Sequence, residues 1–549
     1  MKTQIRLSRK TTIILVCILL LQVIVCIYYG TLKKGFFVDE LWGAGLANSY
    51  YRPRVFLPRV FNTNTYIDSY CFRNYLTVSP DEGFSIASVW FNQSQDSHPP
   101  LYFLLYHALS CLEMGTFSKW TGITINLFFL ICSSICIFMT ARKLTGYTWA
   151  GLVATALWGF SAEAVSYTLC ARMYMMSAFF VVLFVYQSFS FFEPLKENDW
   201  KDCLCLLLAT TGGCLTHYYF YIAAFAMAAV NCIVLWIEKG FRKVCKYGFS
   251  VLGGVFLSWA IYPQIFYSLA HGDGRGREAV RNLKDLRSLW YRIGLLVEQI
   301  EIKLLYKPVF AIVLFASSLI VVTVILRILW KKQVDPELKS RVSMLLTTEL
   351  TFVLYMLAVA KLQPFYTNRY YFPITVLLWI VVFGNVIILA RILSIRFSGE
   401  TIRKTVSIVL IVLVMTATGG IIKGHVDQKV MFLYPRQERI VEQIQQMGKP
   451  PALYIIRGNI YTLTAHCVEL ANCSEVLCVD INTEADLLQY DIHDESDSMV
   501  VFAGSEFDQQ KLVDQILEQT AYDAYELIGR GSGIGWEDQE ENYIYCFSK

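Results

Sequence analysis

Stretches of about twenty mostly apolar residues recur along this 549-residue chain, and each is long enough to carry an α-helix across the hydrocarbon core of a membrane. They fall at 11–32, 120–140, 144–162, 173–192, 248–270, 308–330, 342–360, 370–390 and 405–422. A longer apolar run, 203–237, is expected to fold back near Gly212-Gly213 into two short helices. Apolar residues make up 55% of the chain and charged ones 17%, a balance outside the range of water-soluble domains. The first run follows Lys2, Arg6, Arg9 and Lys10, lacks a small-residue cleavage site, and reads as a retained membrane helix. A net charge of +4 without a long basic tract argues against a nucleic-acid partner. The sixteen cysteines lie mostly inside apolar runs and show no CxxC pair with metal spacing, so neither a zinc site nor a disulfide framework is inferred.

Lys and Arg concentrate in cytoplasmic loops, and the segments 1–10, 238–247, 331–341 and 391–404 are the basic ones. Placing all four inside gives about eleven crossings and leaves 33–119, 163–172, 271–307, 361–369 and the tail after 423 outside. The parity requires that 98–112, apolar but only about fifteen residues long, lie at the interface rather than cross. If it crosses, there are twelve spans and the C-terminus is inside. The expected fold is therefore a polytopic α-helical membrane protein, residues 1–425, followed by a small extracytoplasmic α/β domain, 426–549. That domain is read from amphipathic stretches at 436–447 and 509–517 alternating with β-like runs at 452–456 and 499–502.

The polar motifs gather on the outer face. Asp39-Glu40 follows the first crossing, and a carboxylate there can accept a proton from a hydroxyl. Asp96-Ser97-His98-Pro99-Pro100-Leu101 sets an acid and an imidazole before a stiff corner that can start a helix. Arg172-Met173-Tyr174, His217-Tyr218-Tyr219 and Arg369-Tyr370 stand at the outer ends of later helices. External arginines run against the usual charge bias, and guanidinium matches phosphate bidentately, so Arg172 and Arg369 read as anion ligands. Arg275, Arg277, Arg281, Lys284, Arg287 and Arg292 make 271–307 basic on the same face, unless that loop lies inside. Each motif also has a plain structural reading: solvated carboxylates at a helix end, a helix-start signal, interfacial tyrosines. Glu349, inside a predicted helix, has either a functional role or a buried polar partner. Gly529-Arg530-Gly531-Ser532-Gly533 looks like a dinucleotide loop, but too little chain follows for a βαβ unit, and it is read as a turn.

Taken in order, Asp39-Glu40, Asp96 with His98-Pro99-Pro100-Leu101, Ala171-Arg172-Met173-Tyr174 and Arg369-Tyr370 resemble the dolichyl-phosphate-mannose-protein mannosyltransferase-like enzymes of glycosyltransferase family 39, which have the GT-C fold. The resemblance covers roughly 1–425; the paired DE and D-x-H-P-P-L motifs are its most specific element, and the terminal domain shows no such likeness. It implies transfer of a sugar, mannose or another hexose, from a polyprenyl-phosphate donor to an extracytoplasmic protein, glycan or lipid, with inversion at the anomeric carbon. Asp39 would be the base, with Glu40 or Asp96 sharing the role or positioning the acceptor. Arg172, Arg369, Arg275, Arg277 and His217 would bind the donor phosphate, and His98, Tyr174, Tyr218 and Tyr370 would position substrate. Relatives tend to carry Arg before the second crossing, where this chain has Lys119, which keeps charge and loses the bidentate fork. Some relatives use a divalent metal, which Asp39, Glu40 and Asp96 could hold. The cysteine content and the lack of an export signal beyond the first helix fit a bacterial plasma membrane, with the endoplasmic reticulum as the other choice. A transporter or flippase of lipid-linked sugars is the competing reading; it predicts internal repeats and midplane polar residues, and neither is evident. A structural membrane partner would tolerate loss of Asp39.

Overall fold

The computed structural model describes residues 7–55, 63–96, 98–193, 200–271, 281–282, 289–300, 335–363, 367–394, 399–458, 462–532 and 540–549. Among these, eight helices are long and apolar enough to cross a membrane: Arg9–Leu32, Lys119–Thr145, Tyr174–Phe191, Tyr219–Lys239, Phe241–Ile261, Pro336–Leu362, Phe372–Ser394 and Gly399–Val426. The expected crossing at 308–330 lies outside the described residues. The expected crossing at 144–162 is instead a 12-residue helix, Thr148–Gly159, followed after a break by Ala162–Leu169. The fold-back after Gly213 is present, but only its first arm, Trp200–Cys214, is short; the second runs 21 residues. The segment 238–247, expected as a loop, mostly belongs to the next helix, which begins at Phe241. Leu101–Ser110 has 10 residues, about 15 Å of helix, too little to span a bilayer.

Local chemistry sets the ends of these elements. Ser118 Oγ accepts from Trp120 N–H at the start of Lys119–Thr145, and Gly146 ends the helix at φ +80°, where a glycine carries no Cβ penalty. The first and last membrane helices turn Leu20, Ile24, Ile408 and Met415 outward, as lipid-facing helices must. Between helices the contacts are small and polar. Gln22 donates to the Thr155 carbonyl at 3.0 Å and accepts from Ser134 Oγ at 2.8 Å, with Gly159 making room for its amide. Glu349 has such a contact too: it is buried and accepts from Asn385 of the neighbouring helix. His425, near the end of the last helix, meets the Tyr29 hydroxyl of the first helix at 2.9 Å and the Phe160 carbonyl at 2.8 Å.

The C-terminal region is an α/β domain in which the expected strands and helices appear as β2 (Ala452–Ile456), β4 (Ser498–Gly504), Gln437–Gln446 and Gln509–Gln519. Its sheet has six strands, with β1 Ile67–Asp68, β3 Glu475–Asp480, β5 Ala524–Ser532 and β6 Glu540–Ser548, in the order β1-β3-β2-β4-β6-β5. The strands β3, β2 and β4 are parallel, and β6 and β5 complete the sheet antiparallel. The glycine-rich segment expected as a turn is part of β5 as far as Ser532, paired to β6 with two register shifts. The edge strand β1 is Ile67–Asp68, donated by the loop after the first membrane helix and paired with Val476 and Glu475. The loop after the first membrane helix thus contributes a strand to the sheet of the C-terminal region.

Candidate active site

Five segments far apart in sequence meet beside the start of the helix Val38–Asn48. Glu40 fixes that helix: its Oε2 accepts from the Phe37 N–H at 2.8 Å and from Lys33 Nζ at 2.9 Å, and its Oε1 accepts from the Ala171 N–H at 2.7 Å. Lys33 and Glu40 are each 1% exposed. The pair leaves Glu40 no role as a free base and makes it the post on which the loop and the Arg172 turn are mounted. Lys33, absent from the sequence-based site, was signalled only by being a charge directly after an apolar helix.

Asp39, the next side chain on the helix, is 21% exposed and meets Arg369 Nη1 through its Oδ2 at 2.5 Å. Arg172 Nη1 donates to the Asp39 carbonyl at 3.1 Å, and Arg172 Nη2 lies 3.5 Å from His98 Nε2. His98 Nδ1 is 2.7 Å from Asp96 Oδ2, so the carboxylate keeps the proton on Nδ1 and presents Nε2 to the arginine. His98 is brought there by the Pro-Pro corner, whose following residue, Leu101, donates to the Leu215 carbonyl at 3.1 Å, joining the corner to the turn that carries His217. Arg172 comes from a tight turn after Ala162–Leu169. Asn126 Nδ2 closes it by donating to the Cys170 carbonyl at 2.5 Å, and Gly122 admits Ala171, whose Cβ would lie 2.2 Å from any Cβ there. Arg369 stands on the one-turn helix Asn368–Tyr370, braced by the Tyr355 hydroxyl donating to the Tyr370 carbonyl at 2.6 Å.

Both guanidiniums are buried over aromatic rings, Arg172 5.4 Å from the Phe103 centroid and Arg369 5.1 Å from that of Tyr370. Burial opposes the charge on Arg172, but Asp39, Tyr174 and Asp96 outweigh it, and its pKa stays above the ordinary arginine value. Arg172 Nε is buried without a hydrogen-bond acceptor among the described residues. His217 is different from the cation its phosphate role would suggest. Burial, then repulsion from His98, Arg172 and Arg369, pushes its pKa well below the usual 6.5, so it is neutral. Its Nδ1 accepts from the Tyr219 N–H at 3.1 Å, which puts the proton on Nε2 as an uncharged donor.

Tyr174 lies beside His217, ring centroids 5.8 Å apart, and Tyr219 stacks on Tyr370 at 4.8 Å. Tyr218 packs against the cluster of Tyr262 and Ile265, and Tyr219, which the sequence-based site did not include, joins the site through Tyr370. Arg275, Arg277, Lys284 and Arg287 lie outside the described residues. Arg292 ties its segment down by donating to the Gln363 carbonyl at 3.1 Å and to Asn282 Oδ1 at 2.9 Å. Lys119 donates to the Lys33 carbonyl, a structural contact. The three carboxylates do not converge on a metal: Asp39 meets Arg369, Glu40 meets Lys33 and Asp96 meets His98, and no group of three metal-ligating side chains is found among the described residues.

Residues 97–266 match the family model described as dolichyl-phosphate-mannose-protein mannosyltransferase. The crystal structure of ArnT from Cupriavidus metallidurans bound to undecaprenyl phosphate is similar over 97% of this chain and 97% of its own, with TM-score 0.51 at 11% identity. The chain has the GT-C fold. The apo state of that ArnT gives TM-score 0.49 at 10% identity over 96% and 97% of the two chains. The S. cerevisiae protein O-mannosyltransferase Pmt1-Pmt2 complex bound to the sugar donor gives 0.35 at 18%, over 50% of this chain and 36% of that one. No curated protein matches. The matched segment contains His98, Arg172 and His217, so the likeness in sequence to the mannosyltransferase family reaches three of the five segments of the site, and the GT-C frame holds the other two.

Proposed function

We propose that this protein is a GT-C glycosyltransferase that moves a hexose from a polyprenyl-phosphate donor to a hydroxyl of an extracytoplasmic acceptor. The observation that carries the reading is a partly exposed carboxylate, Asp39, paired with the buried Arg369 guanidinium while the buried Arg172 guanidinium holds its backbone carbonyl. The acceptor oxygen forms a bond to the anomeric carbon, the bond from that carbon to the phosphate oxygen breaks, and the acceptor proton passes to Asp39. Attack opposite the leaving group inverts the centre. Charge grows on the departing phosphate, and fixed cations in a site screened from water stabilise it. Arg172, with an unused Nε–H, and Arg369 supply them, while neutral His217 and the Tyr174 hydroxyl offer donors without net charge. Arg369 pairs with Asp39, and a donor phosphate that competes for that guanidinium loosens the carboxylate for proton transfer. The family match and the fold shared with a structure holding undecaprenyl phosphate support the lipid-phosphate donor.

The test measures free polyprenyl phosphate released from a panel of polyprenyl-phosphate hexoses, with membrane extract supplying acceptors. Asp39→Asn is expected to lower turnover by about 10²–10⁴, the range for a positioned base, with donor binding kept. Donor left intact while labelled lipid-linked sugar crosses proteoliposome membranes would replace the transferase with a flippase.

A further inference from the structure

Residues 429–437 carry the chain from the last membrane helix into the terminal domain, and they do so in an unfavourable backbone. Phe432 and Tyr434, both with Cβ atoms, take φ values of +66° and +46° in a stretch without helix or strand. Large side chains rarely adopt that region, and such strain persists only where surrounding contacts hold it. The contacts are with the loop that leads to Asp39. Lys34 N–H donates to the Leu433 carbonyl at 2.6 Å, and Lys33 Nζ donates to the Phe432 carbonyl at 2.8 Å. The Phe432 ring sits between Phe37 and Tyr167, centroids 6.0 and 5.8 Å away. The Met431 N–H donates to Ser166 Oγ at 2.9 Å, on the helix that leads to Arg172.

Gln437 closes the arrangement. Its Oε1 accepts from the Phe36 N–H at 2.7 Å, and its Nε2 donates to Glu469 Oε1 at 2.8 Å. Glu469 belongs to the terminal domain, is 1% exposed, and lies 3.7 Å from His466, itself bonded to Asn542 of β6 at 2.8 Å. Gly35 packs directly against Gln437, since a Cβ there would lie 2.0 Å from Gln437 Oε1. A series of buried and half-buried polar contacts therefore leads from β6 through His466, across 3.7 Å to Glu469, and on through Gln437 to the backbone three residues before Asp39.

We propose that 429–437 is a strap and that Gln437 is a positioning residue, through which the terminal domain sets the place of the Asp39 carboxylate. The proposal rests on Asp39 serving as the base. It assigns the terminal domain a part in catalysis that touches no substrate: without Glu469 to orient it, the Gln437 amide cannot hold Phe36, and the helix bearing Asp39 is free to shift. A displacement on the order of 1 Å at a reacting group can cost about 10²-fold in rate.

The full-length protein carries the test. Gln437→Glu keeps an acceptor for Phe36 and sets a carboxylate against Glu469 at hydrogen-bond distance, so repulsion displaces it. Turnover is expected to fall about 10- to 100-fold with donor KM within about twofold. Adding Glu469→Gln restores the pair with its polarity reversed, and the double variant is expected to regain turnover to within about threefold of wild type. Wild-type turnover in Gln437→Glu, or no recovery in a folded double variant, overturns the strap. If Gln437→Glu does not fold, Gln437→Met takes its place in the same assay, since it keeps the length and removes both bonds; a fall of about 10- to 100-fold supports the strap, and wild-type turnover overturns it. Hydrogen exchange separates this failure from failure of the transferase reading. The Lys34 and Phe36 amides are expected to be protected in wild type whatever reaction the protein performs, and fast exchange there would overturn the strap alone.

Discussion

His217 lies 3% exposed with two arginines and a second histidine around it, and its neutrality has a consequence for pH. The folded pKa is depressed below the ordinary 6.5, first by burial and then by those positive neighbours. At pH 8 neither the folded nor the unfolded chain protonates this ring, and it contributes no pH dependence. As pH falls through about 6.5 the unfolded chain takes up a proton that the folded one refuses, so stability is lost toward acid. Thermal unfolding in detergent between pH 8 and pH 5 is expected to show a midpoint that falls less steeply for His217→Gln than for wild type. Parallel curves would mean that His217 titrates normally. At the same scale, Glu40 and Asp39 are neighbours with opposite fates. The sequence shows two carboxylates in a row, but which one is buried depends on Lys33, Phe37 and Ala171 closing around Glu40, and no local pattern encodes the last of these.

The helix Val38–Asn48 is the element on which the site turns, and its glycines show two kinds of close approach. A Cβ at Gly45 would lie 1.9 Å from Cζ of Tyr75, a ring that is 1% exposed and has no space to yield. A Cβ at Gly43 would lie 2.9 Å from Nη1 of Arg172, the movable end of a long side chain. Gly45→Ala is expected to cost about 1–3 kcal/mol of stability, the usual range for overpacking. Gly43→Ala is expected to cost less stability than Gly45→Ala, helped by alanine's helix preference of about 1 kcal/mol, while displacing the guanidinium and lowering turnover. Thermal unfolding alongside polyprenyl phosphate release tells them apart; equal loss of stability in both would sink the distinction. The motifs of this helix and of 96–101 were legible because both sit at apolar-to-polar boundaries and carry helix-start chemistry. Tyr219 was not separable from Tyr218, since the choice is made by the turn after Cys214 and not by either residue.

At the scale of the whole molecule, segments far apart in sequence meet one another. Asp39 pairs with Arg369 across 330 residues, Arg172 reaches His98 across 74, and the terminal domain takes Ile67–Asp68 of the first loop into its sheet. Those contacts place the loop and the C-terminus on one side. An epitope inserted after Leu112 and another after Lys549 are expected to be accessible from the same side of sealed membrane vesicles. Opposite exposure would contradict the shared sheet. Apolar run length and helix or strand periodicity, read from sequence alone, determined that the chain spans a membrane many times and that its C-terminal part mixes helices with strands, because burial in lipid and periodicity are local properties of a segment. Only the tertiary structure decided that Asp39 meets Arg369, that Glu40 is spent on Lys33, that His217 is uncharged, and that the terminal domain grips the loop before Asp39. Each of those depends on which distant groups exclude water from one another, and that is a property of the packed chain.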